Sequence, residues 1–167
     1  NNVDYIIASD TDSVYINMHG IIKMAYGDTL KDTPTETVIT FMDKICADKF
    51  QPFIDKTCEE LGLALNVYAQ KMDMKREVLA NKGIWTAKKK YLLHVYNSEG
   101  VQYEEPKLKI SGLEAIRSST PTACRTKIKE ALKMIMTKDE SALIEFISDF
   151  RDEFEKLPLE EIAFPRS

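Results

Sequence analysis

The sequence is poor in the residues that would mark a secreted, metal-stapled or membrane protein. Its three cysteines, Cys46, Cys58 and Cys124, are scattered and odd in number, so they lay out no disulfide framework and no zinc spacing. With only His19 and His94 to help them, a zinc site is a poor fit, and the thiols read as small buried side chains of a reducing cytosol. No apolar run approaches the roughly 20 residues of a bilayer span. No basic-then-apolar leader opens the chain, and no membrane partner is expected. Six glycines and six prolines in 167 residues exclude a fibrous repeat or a disordered tail. There is no internal repeat and no low-complexity tract.

What remains is the composition of a globular domain. Hydrophobic residues make up 44% and charged residues 30%, enough for a true core at this length. The net charge of −4 argues against a general nucleic-acid coat protein, but the charge is unevenly spread. From Lys82 to Arg117 seven Lys/Arg face four Glu, a net of +3, whereas Lys138 to Glu161 carries a net of −6. Local sign, not the sum, decides whether one face can bind a polyanion.

Pattern predicts an α+β fold. Tyr5-Ile6-Ile7-Ala8 and Ser13-Val14-Tyr15-Ile16, joined by the polar link Ser9-Asp10-Thr11-Asp12, read as a hairpin. Gly20, Gly27, Pro34 and several Asp and Thr make residues 17–35 a loop with one helical turn at most. From Thr35, apolar Val38, Ile39, Phe41, Met42, Ile45, Cys46 and Ile54 recur at helical spacing. They predict a helix that kinks at Pro52 and runs to about Leu61, before Gly62. Leu63 to Val67 and Arg76 to Ala80 read as strands, with a turn at Asn81-Lys82-Gly83. Tyr91 to Tyr96 and Val101 to Tyr103 flank a second hairpin turn, Asn97-Ser98-Glu99-Gly100. Residues 107–115 are extended and partly basic. Thr120 as N-cap, with Pro121 at the first helical position, opens a helix to about Thr137, and a second follows from Glu140 to about Leu157.

Two stretches carry chemistry. In S-D-T-D-S, residues 9–13, two ionised carboxylates so close repel by about 4 kcal/mol at about 4 Å and an effective dielectric near 20. Divalent cations or several donors must offset that repulsion. Mg²⁺ takes one or two carboxylates plus waters and phosphates, and a rigid turn can supply them. The plainer reading is an Asx-rich turn whose acids bond nearby amides. In W-T-A-K-K-K-Y, residues 85–91, strand alternation would place Lys89 and Tyr91 on one face and Lys88 and Lys90 on the other. A charge beside an aromatic ring then meets a nucleic-acid groove, and phosphate contact gives affinity without reading sequence. A lysine-protected edge strand is the plainer alternative. Lys107, Lys109 and Arg117 extend the basic track.

Y-I-I-A-S-D-T-D-S-V-Y-I resembles the third polymerase motif of family B DNA polymerases, a hairpin with two metal-binding aspartates. W-T-A-K-K-K-Y looks like that family's primer–template-binding stretch. E-P-K-L-K-I-S-G-L-E with R-S-S-T-P, residues 105–121, looks like the link from palm to thumb. The three occur in the family's order over Val3 to about Leu157, most similar to the replicative enzymes of T-even-like tailed phages. The resemblance implies an antiparallel palm sheet with packed helices over residues 1–115 and a helical thumb base over 116–167. It implies two-metal nucleotidyl transfer with two Mg²⁺ ions, Asp10 and Asp12 as catalytic metal ligands, and Ser9, Thr11 and Ser13 shaping the turn. Glu77, in M-K-R-E-V-L-A, stands where phage relatives carry a further carboxylate; by itself it reads equally as half of an ion pair with Arg76. Lys88, Lys89, Lys90, Tyr91, Lys107, Lys109 and Arg117 are the expected DNA-binding residues. The family commonly has Tyr-Gly before the first aspartate, where this chain has Ala8-Ser9.

The family's further palm aspartate, its fingers helix and its exonuclease domain are not found in these residues. The expectation is therefore a polymerase fragment, a split-gene product or an excised piece, inactive alone. Its partners would be primer–template DNA, deoxynucleoside triphosphates and the remainder of the polymerase, in the cytoplasm of an infected bacterium. Two alternatives are a non-catalytic nucleic-acid-binding module and, more distantly, another palm-like enzyme such as a nucleotide cyclase.

Overall fold

A computed structural model describes residues 4–164, apart from the Glu114 side chain. The first three residues of the expected palm segment and the last three of the expected thumb base lie outside the described residues. The α+β architecture holds. Strands β1 (Ile6–Asp10) and β2 (Ser13–Ile16) form an antiparallel hairpin; β3 (Val78–Ala87), β4 (Lys90–Ser98) and β5 (Val101–Ser111) form a second antiparallel sheet in that order. Helices α1 (His19–Tyr26), α2 (Thr35–Ile45) and α3 (Gln51–Ala64) lie between the sheets in sequence, and α4 (Thr122–Thr137), α5 (Glu140–Phe154) and α6 (Leu159–Ile162) follow them. Among the described residues no helix is long and apolar enough to cross a membrane.

The chain divides into two compact units. One holds the described residues up to Asn81 together with Val95–Pro106. The other holds Lys82–His94 and the described residues from Lys107 onward. In the first, the helical stripe buries Ile39, Met42 and Cys58, and Val95 and Asn97 are buried on β4. In the second, Leu92, Leu93, His94, Ala115 and Met136 are buried. Leu92 to Val95 point alternately to the two faces of β4 and are all buried.

Several expectations are corrected. Residues 17–35 are not a loop: Asn17 Oδ1 accepts from His19 N at 2.9 Å and starts α1, which Gly27 ends at φ 53°. A 3₁₀ stretch, Gly27–Asp32, follows. Half-buried Ile21, Ile22 and Tyr26 supply a stripe that outweighs the glycines. The helix from Thr35 stays helical past Pro52 to Ala64, beyond the expected Leu61. Pro52 lacks an N–H and its ring crowds the carbonyl four residues back, and the helix widens to a π turn over Cys46–Phe50 before α3.

Leu63 to Val67 is not a strand. Leu63 and Ala64 finish α3, Asn66 turns left-handed at φ 51°, and the amides of Asn66 and Val67 bond to the carbonyls of Leu63 and Gly62, each at 3.1 Å. That is a Schellman close with asparagine in place of glycine. Asn81-Lys82-Gly83 is not a turn either. β3 runs straight through it because the Trp85 ring lies over Gly83; a Cβ there would sit 2.6 Å from the ring and 2.9 Å from Leu93 Cδ2. Lys82 instead donates to the Met136 carbonyl at 2.7 Å, near the end of α4.

The N-cap of α4 is Pro121, whose carbonyl takes the Arg125 amide at 2.9 Å, and Thr120 lies buried one residue outside. α5 opens on Asp139, whose carboxylate accepts from Ala142 N at 3.0 Å, and stops at Phe154, short of the expected Leu157. The residue before Pro158 is pushed out of the helical region.

Candidate metal site and nucleic-acid interface

The acidic hairpin forms in the first unit as its alternation predicts. Asp10 pairs with Ser13, Ser9 with Val14 and Ala8 with Tyr15, leaving Thr11 and Asp12 as a two-residue turn. A bulge between Ile6 and Ala8 shifts the register near the hairpin's open end. Ala8, Asp10, Ser13 and Tyr15 share the half-buried face, while Ser9 and Val14 point to the exposed one. Asp12 lies exposed at the tip.

Thr11 has φ 54°, a left-handed conformation unusual for a β-branched residue. Strain of this kind persists where neighbours over-determine it. Here the Thr11 hydroxyl reaches Asp10 Oδ1 at 3.3 Å and the Ser13 hydroxyl donates to the Asp10 carbonyl at 3.0 Å. Carboxylates, hydroxyls and a carbonyl concentrate on five residues, with no thiol or imidazole among them. That donor set suits a hard divalent cation and not a thiolate-seeking metal.

Glu77 stands just ahead of β3, and its carbonyl accepts from Glu99 N at 2.7 Å across the β4–β5 turn. Among the described residues no three His, Cys, Asp or Glu side chains cluster as a metal cage, so Glu77 does not join the two aspartates into one. Arg76, beside Glu77 in sequence, bridges two further side chains. Its guanidinium donates to Asn97 Oδ1 at 2.8 Å and pairs with the Asp43 carboxylate on α2. Burial raises the pKa of the nearby Cys46 thiol; the Arg76 charge lowers it and Asp43 raises it.

The basic stretch lies in the second unit and is not one flat strand. Lys88 and Lys89 form the tight turn between β3 and β4, with Lys89 left-handed at φ 63°, and Lys90 and Tyr91 begin β4. The expected alternation of Lys89 with Tyr91 therefore fails, because a turn reverses the chain between them. Lys88 and Lys89 project as an exposed tip, while Lys90 and Tyr91 are half-buried at its base. The Thr86 hydroxyl bonds to the Lys90 carbonyl at 3.3 Å.

Lys107 and Lys109 sit two apart on β5 and share a face with Ser111 by alternation. β5 is an edge strand, which is why Pro106, lacking an N–H, fits inside it. The Ser111 hydroxyl donates to the Lys89 carbonyl at 3.2 Å, so the lysine turn lies at the end of the face that bears Lys107 and Lys109. Arg117 is exposed, beyond the 3₁₀ turn Glu114–Ile116. His94 is buried in the same unit; desolvation lowers its pKa, and Lys82 and Lys133 lower it further.

The two helices after the sheet differ in charge, and part of that difference is satisfied internally. Lys127 on α4 pairs with Glu153 on α5 at 2.8 Å and lies over the Phe146 and Phe150 rings at 5.7 and 5.5 Å. Sequence reading missed Ser111, Gly112 and the Arg76–Asp43–Asn97 bridge. Only a Ser-Gly pair ending a strand-like run offered a signal, as a turn marker.

A family profile described as Divergent Family B DNA polymerase matches residues 4–144. The chain is 34% identical over 171 aligned positions to a DNA-directed DNA polymerase of Enterobacteria phage T4, an alignment covering 98% of this chain and 19% of that protein. It is 36% identical over 144 positions to a DNA-directed DNA polymerase of Escherichia phage RB69, covering 81% of this chain and 16% of that one. The chain thus spans less than 20% of the length of either relative.

Proposed function

The chain belongs to the divergent family B DNA polymerases, and from that premise we propose that it supplies part of the centre where a DNA-directed polymerase extends a primer 3′ end. In this reading residues 1–115 are the C-terminal part of the palm and 116–167 the start of the thumb. The supporting observation is the β1–β2 hairpin, which holds Asp10 and Asp12 on either side of a left-handed Thr11.

Asp10 and Asp12 hold the metal, with Ser9, Thr11 and Ser13 keeping their turn rigid, while Glu77 stands apart from that pair. Two Mg²⁺ ions, when bound, supply charge stabilisation on phosphate oxygens and acidify the attacking hydroxyl. The lysine tip Lys88–Lys90, with Tyr91, Lys107, Lys109 and Arg117, grips primer–template phosphates and so sets where the primer end lies. Nucleotide selection, the further palm aspartate and proofreading belong to the rest of the polymerase, and replication in the host bacterial cytoplasm is the setting.

The test is primer extension by the complete polymerase that contains this chain. Asp10→Asn and Asp12→Asn should each lower extension by a factor on the order of 10² to 10³, the scale of a lost charge-stabilising contact of about 3–4 kcal/mol. Primer–template affinity should stay within a few-fold. The 167 residues alone should extend nothing. Near-normal extension by both variants would leave a nucleic-acid-binding module with structural acids as the better reading.

A further inference from the structure

The lysine tip is set by a part of the chain far from it in sequence. Lys89 adopts φ 63°, a conformation that a non-glycine residue keeps only where its surroundings hold it. Two neighbours do so from the end of β5, 22 residues away: the Ser111 hydroxyl bonds to the Lys89 carbonyl at 3.2 Å, and Gly112 lies directly beneath that carbonyl.

Gly112 itself has φ +63°, and a Cβ there would stand 2.4 Å from the Lys89 oxygen, 3.3 Å from its carbonyl carbon and 3.1 Å from Lys90 Cγ. The first of those contacts is with backbone, so no side-chain rotation could relieve it. Glycine is required here twice over, for its backbone conformation and for the space. On the far side, the Thr86 hydroxyl takes hold of the Lys90 carbonyl at 3.3 Å. The turn is thus clamped from both flanks by groups that carry no charge.

We propose that Ser111 and Gly112 are positioning residues for primer–template binding: they latch the Lys88–Lys90 turn in the shape that lines its ammonium groups up with Lys107 and Lys109 along one phosphate strand. The proposal rests on reading that turn as a phosphate-contacting element. A lysine stem is flexible, but the direction of its Cα–Cβ bond is not, and that direction changes if Lys89 leaves the left-handed region. Freed of the latch, the turn would relax and its lysines would reach the backbone in fewer of their conformers.

The test is primer–template affinity of the complete polymerase, titrated against salt concentration. Gly112→Ala should weaken binding about tenfold and make the slope of log K against log salt shallower by about one, as when a phosphate contact is lost. Ser111→Ala should weaken it about threefold, and Ser111→Thr, which keeps the hydroxyl, should restore it. With Lys88→Ala and Lys89→Ala already in place, neither latch variant should have any further effect. A latch that merely stabilised the fold would leave the salt slope alone.

The proposal is overturned if the two lysine substitutions lower affinity and slope while folded Ser111→Ala and Gly112→Ala proteins keep both. Should Gly112→Ala not fold, the Ser111 pair decides by itself. If the lysine substitutions change nothing, the underlying reading of the turn fails, and the latch falls with it.

Discussion

Arg76 shows how one side chain can tie a helix to a strand. Its guanidinium spans two partners, Asp43 on α2 and Asn97 on β4, and Asn97 Oδ1 also takes the Gly100 amide at 3.2 Å. Asn97 is only 1% exposed, so water cannot replace a lost donor there. The Asp43 side chain is 37% exposed, which moderates the cost of breaking the pair. Arg76→Ala should therefore destabilise by about 2 kcal/mol, below the value for a fully buried pair. Arg76→Lys should recover little, since a single ammonium cannot span two partners as a planar fork does. Urea midpoints of both variants measure this, and a loss under about 0.5 kcal/mol for Arg76→Ala would refute the bridging role.

Among the elements, β3 contradicts its local turn chemistry. Asn81-Lys82-Gly83 has turn chemistry, yet the strand continues because the Trp85 ring fills the space that Gly83 leaves, against buried Leu93. Gly83→Ala should thus act as overpacking, with a cost of about 1–3 kcal/mol. Trp85 is the only tryptophan, so its fluorescence reports the displaced ring without ambiguity. An unshifted emission spectrum together with an unchanged unfolding midpoint would refute the packing account. The β1–β2 hairpin is the contrary case, since its two-residue turn and pairing are local and follow from alternation alone. The expected long helix lies between these cases. Its apolar stripe was legible, with Ile39, Met42 and Cys58 buried, but the π turn that accommodates Pro52 was not.

Over the whole molecule, apolar surface and charge are both unevenly distributed. Tyr5, Ile6, Ile7, Val14 and Ile16 are all at least 42% exposed on a hairpin of two strands. Two strands alone are marginally stable, and contiguous apolar surface of this kind seeks a cover. The isolated chain should self-associate, as read by light scattering, and Val14→Lys with Ile16→Lys should shift it toward monomer. A clean wild-type monomer at high concentration would count against this. One carboxylate of the acidic stretch is answered within its own unit, where Lys127 on α4 pairs with Glu153 on α5, and Lys88 and Lys89 lie exposed at the β3–β4 tip.

By itself the sequence determined the α+β class, the hairpin that carries Asp10 and Asp12, the β4–β5 hairpin and the amphipathic character of the helices. It also carried the likeness to family B polymerases, which the comparisons established as membership. Each of the structural features is encoded within a dozen residues, by alternation, helical period or turn chemistry. Tertiary structure alone decided that K-K-K-Y bends instead of lying flat, that β3 passes through Gly83 and that Arg76 bridges Asp43 and Asn97. Two of those outcomes depend on groups distant in sequence, Ser111 and Gly112 under Lys89 and Asp43 against Arg76. Local pattern cannot report a contact whose partner lies tens of residues away, because only folding brings the two together.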